Sequence, residues 1–138
     1  MISTRGSYAL RMMLDLAEHQ GDGYVPLSDI AGRLEISKKY LEQIVPFLNR
    51  AGLLKTTRGA QGGYRLVKAP NEYTVCEILL KTHGSLAPVA CLEYKPNRCR
   101  KCNDCPTLSV WEGLDKVTKE YLDGITLQDI IDRQHNRK

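Results

Sequence analysis

Residues 27–68 have the sequence LSDIAGRLEISKKYLEQIVPFLNRAGLLKTTRGAQGGYRLVK. Apolar residues recur every three or four positions over residues 27–34 and again from 38 to about 51, which predicts two short amphipathic helices. Residues 35–37 interrupt this pattern, and Ser37 is a favourable N-cap for the second helix. Two short helices joined by such a tight turn predict a helix-turn-helix, in which the second helix is the recognition helix.

The predicted recognition helix has an apolar and a polar face. We expect the apolar side chains to be buried and the polar ones to remain outside. The buried set is Leu41, Ile44, Val45 and Leu48, and the outer set is Lys38, Lys39, Glu42, Gln43 and Asn49. Pro46 lies inside this helix and lacks the N–H that would bond to the carbonyl of Glu42, so a kink is expected there.

After residue 52 the pattern changes to two short β-prone runs around the glycine-rich turn RGAQGGY, residues 58–64. This predicts a β-hairpin, and a hairpin directly after a recognition helix is a wing. The glycines do not indicate a nucleotide-binding loop, because the lysine and hydroxyl residue of that motif are absent and no helix follows. The predicted fold is mainly α with a small β-hairpin: a winged helix-turn-helix followed by a long helix.

The long helix follows residue 107 and carries an apolar stripe at helical spacing. The stripe comprises Leu108, Trp111, Leu114, Val117 and Tyr121. We predict that it forms a homodimer contact, because a two-fold dimer can bind two DNA half-sites; the alternative is that it packs only on its own domain. Residues 1–80 are thus assigned to the DNA-binding region, 81–106 to a cysteine-rich loop, and 107–138 to the dimerisation helix and a C-terminal helix over 126–133.

Composition and charge narrow the possible functions. The 138 residues, 42% of them hydrophobic, are sufficient for one domain with its own core. The sequence contains neither a secretory signal pattern nor a run long enough to cross a membrane, so a cytoplasmic protein without membrane partners is expected. Between residues 33 and 68 there are eight Lys and Arg against two Asp and Glu, which favours an anionic partner such as nucleic acid.

The residue types in this region suggest how double-stranded DNA would be bound. Lys38, Lys39, Glu42 and Gln43 occupy the first turns of the recognition helix, from which side chains reach base edges. Arg58, held at the wing tip by Gly59, is placed to enter a minor groove. Tyr40, Lys55 and Arg65 suit phosphate contacts, although plain solvation explains the two basic residues equally well.

Four of the five cysteines lie in the segment CLEYKPNRCRKCNDCP, residues 91–106. Their spacing is C-x7-C-x2-C-x2-C, formed by Cys91, Cys99, Cys102 and Cys105. Thiolates at this spacing could hold an iron–sulfur cluster or a zinc ion, or they could act as redox thiols. Disulfides are disfavoured in a reducing compartment. The fifth, Cys76, lies among apolar residues of a predicted helix and is interpreted as a buried, inert thiol.

Several motifs together resemble the IscR-type family of winged-helix regulators. They are STRGxYA (residues 3–9), YLEQ (40–43), RAGL (50–53), RGAQGGY (58–64) and the cysteine cluster before a helix that contains Trp111. The resemblance implies a homodimeric transcription factor, often a repressor, that carries an iron–sulfur cluster on three cysteines of each chain. It also implies that Glu42 sets the class of promoter accepted.

The resemblance places Cys91, Cys99 and Cys105 on the three ligand positions. The family's histidine ligand is replaced here by Leu108, and Cys102 is an additional thiol that could substitute for it. A 2Fe-2S cluster is favoured by the family and a 4Fe-4S cluster by the consecutive C-x-x-C steps. An electron-transfer enzyme is the competing function, but the sequence has no nucleophile paired with a base and that function leaves the basic helix-turn-helix unexplained.

Overall fold

The computed structural model describes residues 2–60, 62–83, 86 and 106–136. Its helices are α1 (Thr4–His19), α2 (Leu27–Leu34), α3 (Lys38–Arg50), α4 (Val75–His83), α5 (Leu108–Asp123) and α6 (Leu127–Asn136), with a 3₁₀ turn at Pro70–Glu72. Strands β1 (Leu54–Thr57) and β2 (Gly63–Leu66) form an antiparallel hairpin. The predicted fold class, mainly α with a hairpin wing after a helix-turn-helix, is confirmed.

The core forms where α1, α2 and α3 pack together. Its fully buried side chains include Met12, Met13, Leu16, Ile30, Leu41, Ile44 and Leu48. The four apolar residues expected on the inner face of α3 are all buried, and the five polar ones are all exposed. Each buried aliphatic side chain of this size contributes about 1.5–3 kcal/mol by leaving water, which is why the apolar spacing decides the orientation of α3.

The turn between α2 and α3 is closed by local contacts. The hydroxyl of Ser37 accepts a hydrogen bond from the backbone N–H of Tyr40 at 3.0 Å, which confirms the predicted N-cap. Glu35 ends α2 with a φ of 56°, a left-handed conformation that is uncommon for a residue with a side chain. The helix α3 continues through Pro46 to Arg50. The kink at Pro46 stays a prediction.

An ion pair between the exposed Arg33 and the buried Asp15 fastens α2 to α1. The Arg33 guanidinium donates two hydrogen bonds to the Asp15 carboxylate, at 2.8 and 2.7 Å. The side chain of Asp15 is only 4% exposed, and the hydrogen bond to it raises the pKa of Arg33. Arg33 therefore belongs to the scaffold, although its charge contributes to the basic excess found in the sequence.

The hairpin is attached to the body by a backbone bridge that the sequence pattern did not predict. Val25 and Tyr64 exchange two hydrogen bonds, Val25 N–H to Tyr64 O at 2.8 Å and Tyr64 N–H to Val25 O at 2.9 Å. A Cβ atom at Gly63 would lie 2.3 Å from the carbonyl oxygen of Val25. Glycine is therefore required at residue 63 because the two backbones approach so closely.

Tyr73 connects the hairpin to the C-terminal helices. Its side chain is fully buried, and its hydroxyl donates to Leu53 O at 2.8 Å and accepts from the N–H groups of Val67 and Lys68 at 2.9 and 3.2 Å. The backbone carbonyl of Tyr73 accepts from Leu127 N–H at 3.1 Å. This one residue therefore satisfies polar groups of the wing and of α6.

The last two helices differ in how they pack. Leu127 at the start of α6 is fully buried in the main core, whereas α5 contains no buried residue. Thr126 and Asp129 form a reciprocal N-cap for α6, and Arg133 and His135 lie in its last turn, where positive charge is favourable. The helix α6 extends to Asn136, beyond the predicted end at residue 133. Across the described ranges, every helix is too short or too polar to traverse a bilayer.

Candidate nucleic-acid interface

The first turns of α3 present a polar surface to solvent. Lys38, Lys39, Glu42 and Gln43 are all exposed there, while Leu41 between them points into the core and is fully buried. Because a helix repeats every 3.6 residues, burial of the apolar face fixes these four side chains on the outer face. They can donate to and accept from groups of a ligand lying along α3.

An open groove runs between α3 and the wing. Lys38, Glu42 and Asn49 line it from the helix, and Thr56, Arg58 and Gly59 line it from the hairpin. The hydroxyl of Thr56 donates to Asn49 Oδ1 at 3.1 Å, so β1 is tied directly to the outer face of α3. The fold therefore brings Lys38 and Glu42, two of the four predicted base-contacting residues, and the predicted wing-tip residue Arg58 to one surface.

Glycines give the wing tip a compact backbone conformation. Gly59 has a φ of 105°, which a residue with a side chain rarely adopts, and a Cβ atom at Gly62 would lie 2.7 Å from the carbonyl oxygen of Thr57. Both positions exclude larger residues. Arg58 thus lies in a turn whose backbone conformation depends on Gly59 and Gly62.

Tyr40, in the first turn of α3, also makes a contact within the fold. Its ring packs edge-on against Tyr8, with the ring centroids 5.3 Å apart and an interplanar angle of 80°. The side chain is half-buried. Tyr40 therefore also anchors the beginning of α3 to α1.

Lys55 and Arg65 lie on the opposite face of the hairpin from the α3 groove. They are paired across the strands, and they line a second groove together with Gln20, Tyr24 and Lys68. Arg65 donates to the carbonyl oxygen of Asp22 at 2.9 Å, and Lys68 forms an ion pair with Glu77 at 3.3 Å. Arg65 and Lys68, two of the eight basic residues between residues 33 and 68, thus already have partners within the fold.

The predicted metal ligands Cys91, Cys99, Cys102 and Cys105 lie outside the described residues. Within the described part of the chain, no three His, Cys, Asp or Glu side chains are grouped so as to hold a metal ion. Cys76 is buried, as predicted, and burial raises the pKa of its thiol. This residue remains protonated at neutral pH and has the character of a packing residue.

The outer face of α5 exposes a row of large apolar side chains. They are Val110, Leu114, Val117 and Tyr121, with 59, 46, 61 and 61% of their surfaces exposed. Leu108 and Trp111, which the sequence placed on the same stripe, are half-buried. Val110 was not assigned to the stripe from the sequence. The four residues of the exposed row are nevertheless spaced four, three and four positions apart, as in a coiled-coil seam.

Comparison with known proteins identifies the family. The family model for Rrf2, an iron-dependent transcriptional regulator, matches residues 2–133. The chain belongs to the Rrf2 family. Rrf2-family relatives are named transcriptional regulators of the helix-turn-helix type, which bind DNA, and the resemblance to IscR-type regulators drawn from the sequence motifs is confirmed.

Two IscR proteins and one CymR protein illustrate the range of Rrf2-family relatives. IscR of Aliivibrio salmonicida is 36% identical over 130 residues, covering 94% of this chain and 76% of its own. The solved structure of T. potens IscR has a TM-score of 0.80 at 38% identity and covers 100% of this chain and 90% of that one. CymR, the global cysteine regulator of B. subtilis, has a TM-score of 0.78 at 36% identity, covering 96% and 97%.

Proposed function

We propose that this Rrf2-family regulator binds double-stranded operator DNA as a homodimer and changes its DNA binding with the state of a thiolate-held centre. The proposal that the protein binds DNA is supported by the groove between α3 and the wing. This groove is lined by Lys38, Glu42, Asn49, Thr56 and Arg58. A helix and a hairpin joined in this way can contact a major groove and the neighbouring minor groove together.

The exposed residues at the start of α3 are proposed to contact base edges. Lys38 and Lys39 suit guanine O6 and N7, Gln43 suits adenine, and Glu42 accepts from the N4 amino group of cytosine. Because a carboxylate is repelled by phosphates, Glu42 reduces affinity unless the matching base is present. Glu42 is therefore the proposed selectivity residue.

Arg58 is proposed to enter a minor groove beside the site occupied by α3. It stands on the tight turn at Gly59 and lines the same groove as Lys38. A narrow minor groove concentrates negative potential and attracts a guanidinium. Tyr40, Lys55 and Arg65 are assigned to phosphate contacts, with Arg65 the weakest of the three because loop carbonyls already accept from it.

Dimerisation is proposed to occur through the apolar row on α5. Val110, Leu114, Val117 and Tyr121 are each at least 46% exposed in the single chain. An isologous pairing of two such rows buries them and places two α3 helices on one duplex. The half-buried Leu108 and Trp111 flank this row.

Cys91, Cys99 and Cys105, with Cys102 as the fourth donor, are the proposed ligands of an iron–sulfur cluster. Soft thiolates suit iron–sulfur and zinc alike, and C-x-x-C spacing serves both. An iron–sulfur cluster supplies a centre whose charge and occupancy vary with iron, oxidants and redox state. The resemblance of the sequence motifs to IscR-type regulators favours a 2Fe-2S cluster, and a 4Fe-4S cluster is the second form.

The position of the cysteine segment suggests how its state is transmitted. It lies between α4, whose Ile78 is fully buried in the main core, and α5, which carries the apolar row. Since α5 has no buried residue, contacts with the rest of the chain fix the position of α5 less firmly than they fix the positions of α3 and α6. A change in the cysteine segment is therefore proposed to shift α5 and with it the spacing of the two α3 helices.

A second candidate function is thiol or zinc sensing without iron. The similarity to CymR, a protein described as a cysteine regulator, favours this alternative. The same four cysteines would then act as redox thiols or zinc ligands, and the DNA-binding groove would be unchanged.

Anaerobic purification of the full chain distinguishes these candidates. We expect a brown protein containing iron and sulfide, whose removal alters its affinity for a duplex selected by the wild-type protein. A variant with Cys91, Cys99 and Cys105 all replaced by serine should lose the iron, whereas Cys76→Ser should keep it. A colourless zinc protein, or equal affinity in both states on every duplex, contradicts iron–sulfur sensing.

A further inference from the structure

We infer that one sugar-phosphate strand of the DNA lies in the groove between α3 and the wing, where the hydroxyls of Ser28 and Tyr64 bind its phosphates. Both residues line this groove, Ser28 from the first turn of α2 and Tyr64 from β2. The inference rests on the proposed function and deepens it, because it adds a phosphate-binding site to the contacts with bases and with the minor groove.

The position of the strand follows from the shape of the duplex. Each backbone strand of DNA separates a major groove from the neighbouring minor groove. A protein that places α3 in the major groove and a wing in the adjacent minor groove therefore straddles the strand between them. The space between the two elements is lined by Lys38 and Glu42 from the helix and by Arg58 from the hairpin. Phosphates, rather than bases, then face the residues that lie between these two edges.

The pairing of the two strands directs the Tyr64 side chain into this groove. Tyr64 is paired with Thr56, so their side chains lie on the same face of the hairpin. That face is the one toward α3, because the hydroxyl of Thr56 donates to Asn49 Oδ1. Tyr64 is half-buried and packs partly against the main core. Packing therefore holds the ring in place at the groove.

Ser28 is brought close to Tyr64 by the bridge that attaches the hairpin to the body. Val25 and Tyr64 exchange two backbone hydrogen bonds, at 2.8 and 2.9 Å, and Ser28 follows shortly after Val25 in the chain. The Ser28 side chain is exposed. Two segments that are far apart in the sequence thus contribute hydroxyls to one surface.

The chemistry of the groove suits a phosphate strand. Among the residues that the structure describes, neither the Ser28 nor the Tyr64 hydroxyl has a hydrogen-bond partner. Hydroxyls of serine and tyrosine commonly donate to phosphate oxygens. The lining residues include two cations, Lys38 and Arg58, against one carboxylate, Glu42, which is proposed to contact a base.

Removal of each hydroxyl tests the inference in the full chain. Fluorescence anisotropy with a selected duplex and a scrambled duplex should show Tyr64→Phe and Ser28→Ala each weakening binding about three- to tenfold on both. The slope of log K against log [KCl] should stay unchanged, since a neutral hydroxyl displaces no counterion. Ser109→Ala removes an exposed hydroxyl from α5 and should leave the affinity unchanged.

A neutral phosphate in the DNA separates a direct contact from an effect on the fold. A single methylphosphonate, moved along each strand of the selected duplex, should weaken wild-type binding at the contacted position. The Tyr64→Phe variant should lose little more there, because the two changes remove the same interaction. Tyr64→Phe should also keep the wild-type Tm, because no group in the described ranges loses a partner.

Two results would overturn this inference while leaving the proposed function intact. One is wild-type affinity in both Tyr64→Phe and Ser28→Ala. The other is a loss in Tyr64→Phe that adds to the loss from every methylphosphonate position, with or without a lowered Tm. Failure of the wild-type protein to bind any duplex would overturn the inference and the proposed function together.

Discussion

The hydroxyl of Thr56 in β1 donates to the side-chain carbonyl of Asn49 in α3 at 3.1 Å. Both residues line the groove between the wing and the recognition helix. The hydrogen bond links the wing directly to α3, in addition to the attachments of the hairpin to Gln20, Val25 and Tyr73. We expect the hydrogen bond between Thr56 and Asn49 to hold the wing in a defined position relative to α3 before DNA binds.

Thr56→Val tests this preorganisation. The substitution keeps the shape of the side chain and removes the donor, so DNA affinity should fall by roughly threefold to tenfold, consistent with about 0.5–1.5 kcal/mol for one hydrogen bond. Asn49→Ala should have a similar effect, and the double variant should be no worse than either single one. Additive losses in the anisotropy titration would show that the two side chains act independently.

Tyr73→Phe tests the buried hydroxyl behind the wing. Without it, the carbonyl of Leu53 and the N–H groups of Val67 and Lys68 lose their partner, so we expect a loss of about 1–3 kcal/mol in the free energy of unfolding. Urea denaturation followed by circular dichroism measures this loss. The matched control is Tyr24→Phe, since Tyr24 is 38% exposed and lies outside the core and the α5 row. Equal stability of the two variants would contradict the role assigned to Tyr73.

The ion pairs of Glu77 predict a dependence of stability on acid. Burial disfavours the carboxylate, but hydrogen bonds from Lys81 and Lys68 outweigh it, so the pKa of Glu77 is lowered. A lowered pKa in the folded state gives stability that is complete above the unfolded value and is lost as the pH falls through the folded value.

Glu77→Gln should therefore be less stable than the wild type at neutral pH, by at most about 1 kcal/mol because the pairs are partly solvated. The difference in Tm should begin to shrink below about pH 4.3, the pKa of a glutamate outside a folded protein, and should disappear once the pH has fallen through the lower pKa of folded Glu77. Glu112→Gln, at an exposed position of α5, is the control. A difference that persists at low pH would mean that the ion pairs are not its cause.

Val117→Glu tests the apolar row on α5. Val117 is 61% exposed in the single chain, so the substitution leaves the monomer fold intact but places two carboxylates against each other in the proposed dimer. Analytical ultracentrifugation should show a monomer at concentrations where the wild type is dimeric. Lys116→Glu on the same helix should remain dimeric, since that side chain is 77% exposed and off the row. An undiminished Val117→Glu dimer would exclude this surface.

The features that the sequence predicted correctly depend on neighbours in the chain. The spacing of Leu41, Ile44, Val45 and Leu48 gives the buried face of α3, and Ser37 caps the helix through an N–H only three residues away. The hairpin follows from β-prone runs around a glycine-rich turn. Each depends on contacts within a few residues, so periodicity and turn chemistry suffice to predict it.

Which basic residues are available to DNA could not be predicted from the sequence. Arg33, Arg65 and Lys68 contribute to the excess of positive charge, yet each has a partner in the fold: the Asp15 carboxylate, the Asp22 carbonyl and the Glu77 carboxylate. Composition counts charges without regard to these pairings.

The sequence by itself determined the order of the helices, the hairpin and the family, since all of these are written in local patterns and short motifs. Only the tertiary structure decided that the wing is bridged to Val25, that Tyr73 ties the wing to α6, and that the exposed row of α5 begins at Val110. The physical reason is that burial and hydrogen bonding between distant segments depend on how the whole chain packs.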